Sequence, residues 1–396
     1  MTTADTTPLA YPFNTAEGLQ LAEEYERVRE QPGLLRVRLP FGEPAWLATR
    51  YADARFVLGD QRFSRAMGVG RDEPRQSEGS RDSGILSMDP PDHTRLRSLV
   101  ARAFTVRQVE KLRPQVRELT ATLLDEMEAA GPPADLVDLY ALPIPVAVIC
   151  QMLGVPTEDR PLFRAWSDAA LSTSSLTAAE FEANREELRA YMAGLIAEHR
   201  AAPRDDLMTA LIEARDGRDR LSELELVDLC VGILVAGHET TASQIPNFTL
   251  TLLDHPEQFE LLRKNPELIN SAVEELLRFV PLGSGAAQAR YATEDMEVGG
   301  TLVRAGEPVM VATGAANRDA LRFSGPGVLD ITRDGNQHLG FGHGAHHCLG
   351  APLARLELQE AMVALVTRFP GLHLAGDITW KSEMLVRGPR VMPIGW

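Results

Sequence analysis

An apolar helix long enough to cross a whole protein forces the rest of the chain to wrap around it, and residues 222–253 read as such a helix. Ser222 and Glu225 form a capping-box start. Apolar residues then run through Leu224, Leu226, Leu229 and Leu234. Continued to Leu253, the helix spans roughly 48 Å at 1.5 Å per residue. Its middle, Leu234-Val235-Ala236-Gly237-His238-Glu239-Thr240-Thr241, is unlike its ends. Gly237 weakens the helix, and Thr240 and Thr241 can bond back to a preceding carbonyl and bend it. The small pair Ala236 and Gly237 beside an acid and a hydroxyl is either a polar surface patch or a notch with a path for protons. Length and apolarity favour a buried helix and hence the notch. Pro246 deprives the Ala242 carbonyl of its partner and is expected to kink the helix just past the notch.

The second constraint runs from His338 to Arg355, HLGFGHGAHHCLGAPLAR, which holds one of three cysteines and four of nine histidines. Gly340, Gly342, Gly344 and Gly350 would each cost roughly 0.5–1 kcal/mol inside a helix or strand, so the segment reads as a tight loop whose backbone something approaches. An amphipathic helix follows Gly350, placing Cys348 at a helix N-terminus, where amides and the macrodipole favour a thiolate. Cys348 is a buried structural cysteine, a zinc ligand together with His343, His346 and His347, or a ligand to haem iron. The spacing matches no familiar zinc pattern, and a second cysteine pair is missing. Residues Phe341 to Gly350 reproduce F-G-x-G-x-H-x-C-x-G. In this motif the chain resembles the cytochrome P-450 superfamily of haem-thiolate monooxygenases, in which thiolate pushes electron density through iron and favours O–O cleavage.

Further residues carry the resemblance from the helix at residue 16 to the terminal hairpin. Ala236-Gly237-His238-Glu239-Thr240-Thr241 matches A-G-x-E-T-T, and Glu275-Leu276-Leu277-Arg278 matches E-x-x-R. The resemblance implies a mainly α fold with small β-sheets, one domain over residues 1–396, and haem b between the central helix and the loop of Cys348, its metal ligand. By the same resemblance Thr240 steadies dioxygen and a water, while Glu239 relays protons from solvent. His93, Arg97, Arg290 and His346 hold the haem carboxylates, suiting charge-assisted bonds to an anion. Phe341, Gly342 and Gly350 of the loop, with Ala236 and Gly237 of the helix, lie against the cofactor. Glu275, Arg278 and Arg333 brace the cysteine loop, although Ala320 replaces the proline usual after Asn317-Arg318-Asp319. The small-sided stretch Leu282 to Ala287 hints at room for a bulky substrate, and the turn near Met384 to Pro389 reaches the pocket. The implied reaction is hydroxylation or epoxidation of a hydrophobic small molecule, a macrolide, other polyketide or terpenoid. It would use O₂ and electrons from a ferredoxin and its NAD(P)H-dependent reductase. The rival readings are a peroxide-driven haem-thiolate enzyme, which needs no acid–alcohol relay, and a non-catalytic haem-binding sensor.

The remaining features set limits. A net charge of −16 argues against nucleic acid as a partner. Widely spaced cysteines suit a reducing compartment. The first residues lack the basic and apolar regions of a signal peptide, and no run of ~18 apolar residues suggests a membrane anchor, so a soluble cytoplasmic protein is expected. Residues 16–31 read as a helix, and Leu35, Val37 and Leu39 with Ala45 to Ala48 read as a hairpin across a Phe41-Gly42-Glu43-Pro44 turn. Residues 65–87 read as a loop, which the resemblance makes a lid. Residues 161–200 suggest two helices, and Cys150 reads as core. Between residues 93 and 117 seven basic side chains face a single acid, Glu110. Arg95 and Arg102 are therefore candidates for docking an acidic electron donor.

Overall fold

The apolar run after Ser222 folds as one helix. In the computed structural model this central helix spans Glu223–Leu253, about 46 Å at 1.5 Å per residue. The structure describes all residues except 1–6, 15–16, 79–83, 157–158, 174–175, 217–220, 284 and 287. Both halves of the capping box form: Glu225 N–H donates to Ser222 Oγ (3.1 Å) and Ser222 N–H to the Glu225 carboxylate (2.7 Å). The helix packs against Pro143–Leu153, Ala178–Ala201 and Ala351–Arg368. Leu226, Cys230, Leu234, Ile245, Phe248 and Leu252 vanish into the core, as does Cys150 from the neighbouring helix. Pro246 does not end the helix. Hydroxyls around it satisfy carbonyls one turn back: Ser243 bonds Glu239 O (2.8 Å), Thr249 bonds Ile245 O (2.9 Å) and Thr251 bonds Asn247 O (2.8 Å).

Helices dominate and the sheets are small, as expected. The largest sheet has six strands in the order Leu9–Ala10, Leu35–Arg38, Ala45–Ala48, Pro308–Val311, Arg290–Ala292, Phe63–Ser64. The hairpin has Leu35 opposite Leu47 and Val37 opposite Ala45, which puts alternate apolar residues on one buried face. At the other edge Ser64 pairs with Tyr291 in antiparallel register. One step further along that register, Arg65 falls opposite Arg290.

The first helix is shorter than its sequence pattern, spanning Glu24–Glu30. Asn14 Oδ1 accepts the Ala22 N–H (3.0 Å), which holds the preceding chain out of helical register; Ala16 lies outside the described residues. The 65–87 segment is not featureless. Ala66–Gly68 and Gly84–Ser87 form single helical turns, and Phe41 and Arg75 exchange backbone hydrogen bonds (3.2 and 3.0 Å) that tie it to the hairpin. Residues 79–83 of this segment are outside the description. The two helices of 161–200 are Arg160–Leu171 and Ala178–Ala201, the second started by a Thr177–Glu180 capping box; Ser174 and Ser175 between them are not described. Among the described residues, no helix is long and apolar enough to cross a membrane.

Candidate active site

Cys348 sits deep in the molecule, yet its side chain has accessible surface, unlike buried Cys150 and Cys230. A cysteine of that kind is not packed into the core and leaves its sulfur open to a ligand. The loop is shaped by its own backbone: Cys348 N–H donates to Phe341 O (2.9 Å) and His347 N–H to Gly344 O (3.0 Å). Gly342 and Gly344 take φ of +74° and +73°, a region strained for other residues. A Cβ on Gly344 would also run into the Leu58 carbonyl. Burial pushes the thiol pKa up, against the sequence expectation of a favoured thiolate. The Gly350 and Ala351 amides and the Arg97 and Arg355 charges pull it back down, but burial is the larger effect.

Beside the loop lies a cluster of arginines and histidines, largely buried, in which no described carboxylate forms an ion pair. Arg65 is 8% exposed, Arg290 4% and His93 2%. Among the described residues neither Arg65, Arg97 nor Arg290 has a carboxylate in ion-pair range. Arg97 Nη2 donates to the His347 carbonyl (2.6 Å). The His93 and His346 rings lie 4.2 Å apart between centroids, and His346 Nδ1 is buried without a partner. Burial first, then repulsion from Arg290, pushes Arg65 down to about 9; burial pushes Arg290 down to about 10. Burial, then Arg65, His93, Arg290 and Arg97, push His346 down to about 3. Asp89 is nearby but already engaged, accepting from Ser64 Oγ and from the Arg65 N–H (2.8 Å). Three desolvated arginines, with only the carboxylate charges of Asp89 and Glu73 acting on them from beyond ion-pair range, and two neutral imidazoles able to donate, make a site suited to an anion. The four propionate candidates of the sequence converge there. Arg65, which the sequence reading missed, joins them through strand register.

On the central helix, Gly232 and Ala236 are exposed and Thr240 half-buried, four residues apart on one face, while His238, Glu239 and Thr241 are buried. Thr240 Oγ1 donates to Ala236 O (2.9 Å), leaving its lone pairs free to accept. Gly237 does not share this face. Its missing Cβ would meet Ile149 Cδ1 at 2.8 Å, so this glycine serves close packing with Pro143–Leu153, a correction to its assignment beside the cofactor. Gly350 has no atom within 4 Å of where a Cβ would stand. Glu239 departs from the sequence picture of an acid leading to solvent. Its carboxylate is ion-paired with the Lys381 ammonium, which also donates to Ser243 Oγ (2.8 Å), and both side chains are buried. One further acid went unnoticed. Glu357, on the helix after the cysteine loop, is fully buried, and neither of its oxygens has a hydrogen bond in good geometry among the described residues. Burial pushes its carboxyl up to about 8, with Thr241 pulling weakly the other way.

The expected brace is present. Glu275 accepts from Arg278 Nε and Nη2 (2.7 Å each), Arg333 Nε (3.1 Å), Asn336 Nδ2 (3.0 Å) and the Asp330 N–H (3.0 Å). Ala320 does not disturb it: Asn317, just upstream, takes the Leu339 N–H on its Oδ1 (2.7 Å). A second tie was not foreseen, Glu274 holding Arg355 (2.6 Å) and His338 (3.0 Å), with Arg355 stacked 4.6 Å over Phe341. The histidines of the zinc reading diverge. His343 accepts from Arg55 (3.4 Å), His346 packs on His93 and His347 lies beside Phe341. Among the described residues no three His, Cys, Asp or Glu side chains converge as metal ligands.

Gly285 corrects another expectation. A Cβ there would meet Gln76 Nε2 at 3.0 Å and Pro12 Cβ at 3.1 Å, so its small size is taken up by packing rather than left as room for substrate. Ser284 and Ala287 of the same stretch lie outside the described residues. Arg95 is also less free than its sequence suggested, since it bonds Glu225 (2.5 Å), whereas Arg102 is exposed.

The family model for cytochrome P-450 matches residues 160–375. The chain is 52% identical to mycinamicin IV hydroxylase/epoxidase of Micromonospora griseorubida, over the full length of both. It is likewise 52% identical to nocardicin C N-oxygenase of Nocardia uniformis subsp. tsuyamanensis, again over the full length of both. A crystal structure of HinD with NMFT and NO superposes with a TM-score of 0.96 at 49% identity, covering 99% of this chain and 100% of that one. The accessible, deeply placed cysteine, the arginine cluster out of ion-pair range of any described carboxylate and the notched central helix thus belong together, and the chain is a member of the cytochrome P-450 family, oxidoreductases that incorporate oxygen with a haem cofactor.

Proposed function

We propose that this cytochrome P-450 hydroxylates or epoxidises a hydrophobic secondary metabolite of macrolide, other polyketide or terpenoid type. The observation that carries the reading is the pairing of an accessible, deeply placed Cys348 with the desolvated arginines Arg65 and Arg290, which no described carboxylate pairs with. An anionic cofactor with a thiolate-loving metal satisfies both at once. Cys348 would ligate the iron of haem b held there, and the cofactor would supply the oxygen-activating chemistry. Arg65, His93, Arg97, Arg290 and His346 hold its two carboxylates. Phe341, Gly342, Gly350 and Ala236 shape its bed. Thr240, whose own proton is committed to the Ala236 carbonyl, accepts a hydrogen bond on the accessible face. Glu239, buried and held by Lys381, passes protons toward it. Residues 1–396 act as one domain in the cytoplasm, and a ferredoxin reduced by an NAD(P)H-dependent reductase delivers electrons near Arg102. The relatives at 52% identity, named for a macrolide and for nocardicin C, support a bulky natural product as substrate.

The test supplies haem-loaded protein with ferredoxin, reductase, NAD(P)H and mycinamicin IV or a related macrolide under isotopically labelled O₂. One labelled oxygen atom in the product is expected. Product carrying oxygen from water, or macrolides that fail to perturb the haem absorption at all, contradict the proposal.

A further inference from the structure

The chain is built on arginine. Of its 40 basic residues only Lys111, Lys264 and Lys381 are lysines. Lys381 is the buried one, at 7% exposure, and it lies against the acid of the notch. A compact ammonium has three donors and no rigid fork, so it fits where a guanidinium does not. Such a pair is an unusual choice for stability alone, because desolvating both charges often costs as much as their attraction returns.

We propose that Lys381 is the positioning residue of the proton relay, holding the carboxylate of Glu239, the neighbour of Thr240 on the central helix, and linking that grip to the turn over residues 382–387. This rests on the relay reading above. The geometry gives Lys381 two partners, Glu239 Oε1 and Ser243 Oγ, and Ser243 in turn donates to the Glu239 backbone carbonyl (2.8 Å). The ammonium thereby fixes both the acid and the helical turn carrying it. Two further titratable groups act on Glu239: His238 on the same helix, which burial holds neutral, and Arg390 of strand Pro389–Val391, itself paired with Asp168 of helix Arg160–Leu171 (2.6 Å).

The backbone around Lys381 supplies the second half. Lys381 N–H donates to Gly388 O (3.0 Å), closing a turn over residues 382–387. That turn, which the family resemblance carries to the pocket, touches the small-sided stretch after Pro281 and the end of helix Arg160–Leu171. Arg387 N–H bonds Leu282 O (2.8 Å), and Leu385 N–H bonds Leu171 O (2.9 Å). A substrate that presses on this turn therefore presses on the residue that sets the acid.

The test uses the haem-loaded full-length chain. Lys381→Met leaves Glu239 desolvated without its counter-ion, so a protonated-carboxyl infrared band is expected at pH 7 beyond the wild-type spectrum. Adding Glu239→Gln should abolish that extra band. With the macrolide turned over in the labelled-oxygen experiment, product per NAD(P)H should fall roughly tenfold. Peroxide-driven product, which needs fewer delivered protons, should fall much less. Lys381→Gln, which keeps a donor to Ser243 without charge, should behave like Lys381→Met and serves if the latter folds poorly. An unchanged infrared spectrum, or equal loss by both electron routes, overturns the proposal. Thr240→Ala, run alongside, keeps the two ideas apart. Uncoupling by Thr240→Ala with coupled Lys381→Met refutes the lysine's role alone; coupled turnover in both refutes the relay.

Discussion

Replacing Glu275 by Gln keeps the size of the side chain and removes one charge. Both Glu275 and Arg278 have fully buried side chains, and Arg333 at 13% exposure shares the same carboxylate. The five donors that converge on Glu275 need a group that only accepts; an amide offers one oxygen and turns a competing N–H toward a guanidinium. The fully buried Arg278 and the half-buried Arg333 then lose their counter-ion. Removing one partner of a buried pair destabilises by about 3–5 kcal/mol, a large share of the roughly 5–15 kcal/mol that holds a typical protein folded. With an unfolding entropy of about 2.1 cal/mol/K per residue, the 396 residues give a fall in Tm of about 4–6 °C. Calorimetry of the haem-loaded chain reads this directly, and the ratio of haem to protein absorbance reads whether the cysteine loop still holds its cofactor. As a control, Glu23→Gln removes an ion pair whose partners are 84% and 71% exposed and should leave Tm unchanged. A Glu275→Gln protein with Tm within about 1 °C of wild type and full haem content would refute the reasoning.

Other perturbations test separate parts of the site. The Glu357 carboxyl is raised from 4.5 to about 8, so the folded state holds a proton that the unfolded chain releases. Its contribution is complete below about pH 4.5 and is lost as pH rises through about 8, by at most on the order of 5 kcal/mol. Urea unfolding of Glu357→Gln against wild type should show a stability difference that grows in favour of the variant across that window, and a difference flat with pH would contradict it. Arg65→Ala should raise the Tm of the haem-free chain, by relieving a desolvated charge beside Arg290, while loosening haem on the loaded chain. Tighter haem retention in the variant would remove Arg65 from the anion site. Arg102→Glu should slow reduction by ferredoxin at low salt without changing substrate affinity, and an unchanged rate would free this surface of any docking role.

Much of this was legible in the chain because the signals were local. The capping box at Ser222, the alternation of Leu35 and Val37, and the i,i+3 spacing of Glu275 and Arg278 each fix their own geometry. So did the loop glycines, although the sequence could not say that Gly344 yields to the Leu58 carbonyl. What escaped depends on contacts between distant segments. Arg65 meets Arg290 only through the pairing of Phe63–Ser64 with Arg290–Ala292. Lys381 reaches Glu239 across 142 positions, and no periodicity near either residue announces it. Gly237 and Gly285 misled for a related reason, since a missing Cβ looks the same in sequence whether a ligand or Ile149 and Pro12 fills the space. The helix expected from residue 16 failed where a side chain, Asn14, competed for a backbone amide.

The account depends most on sulfur from Cys348 binding iron. Reduced, carbon-monoxide-treated protein loaded with haem should show the red-shifted absorption band that an anionic sulfur donor confers, and Cys348→Ala should lose it. A wild-type spectrum without that band, or a Cys348→Ala protein that keeps it, would contradict the assignment.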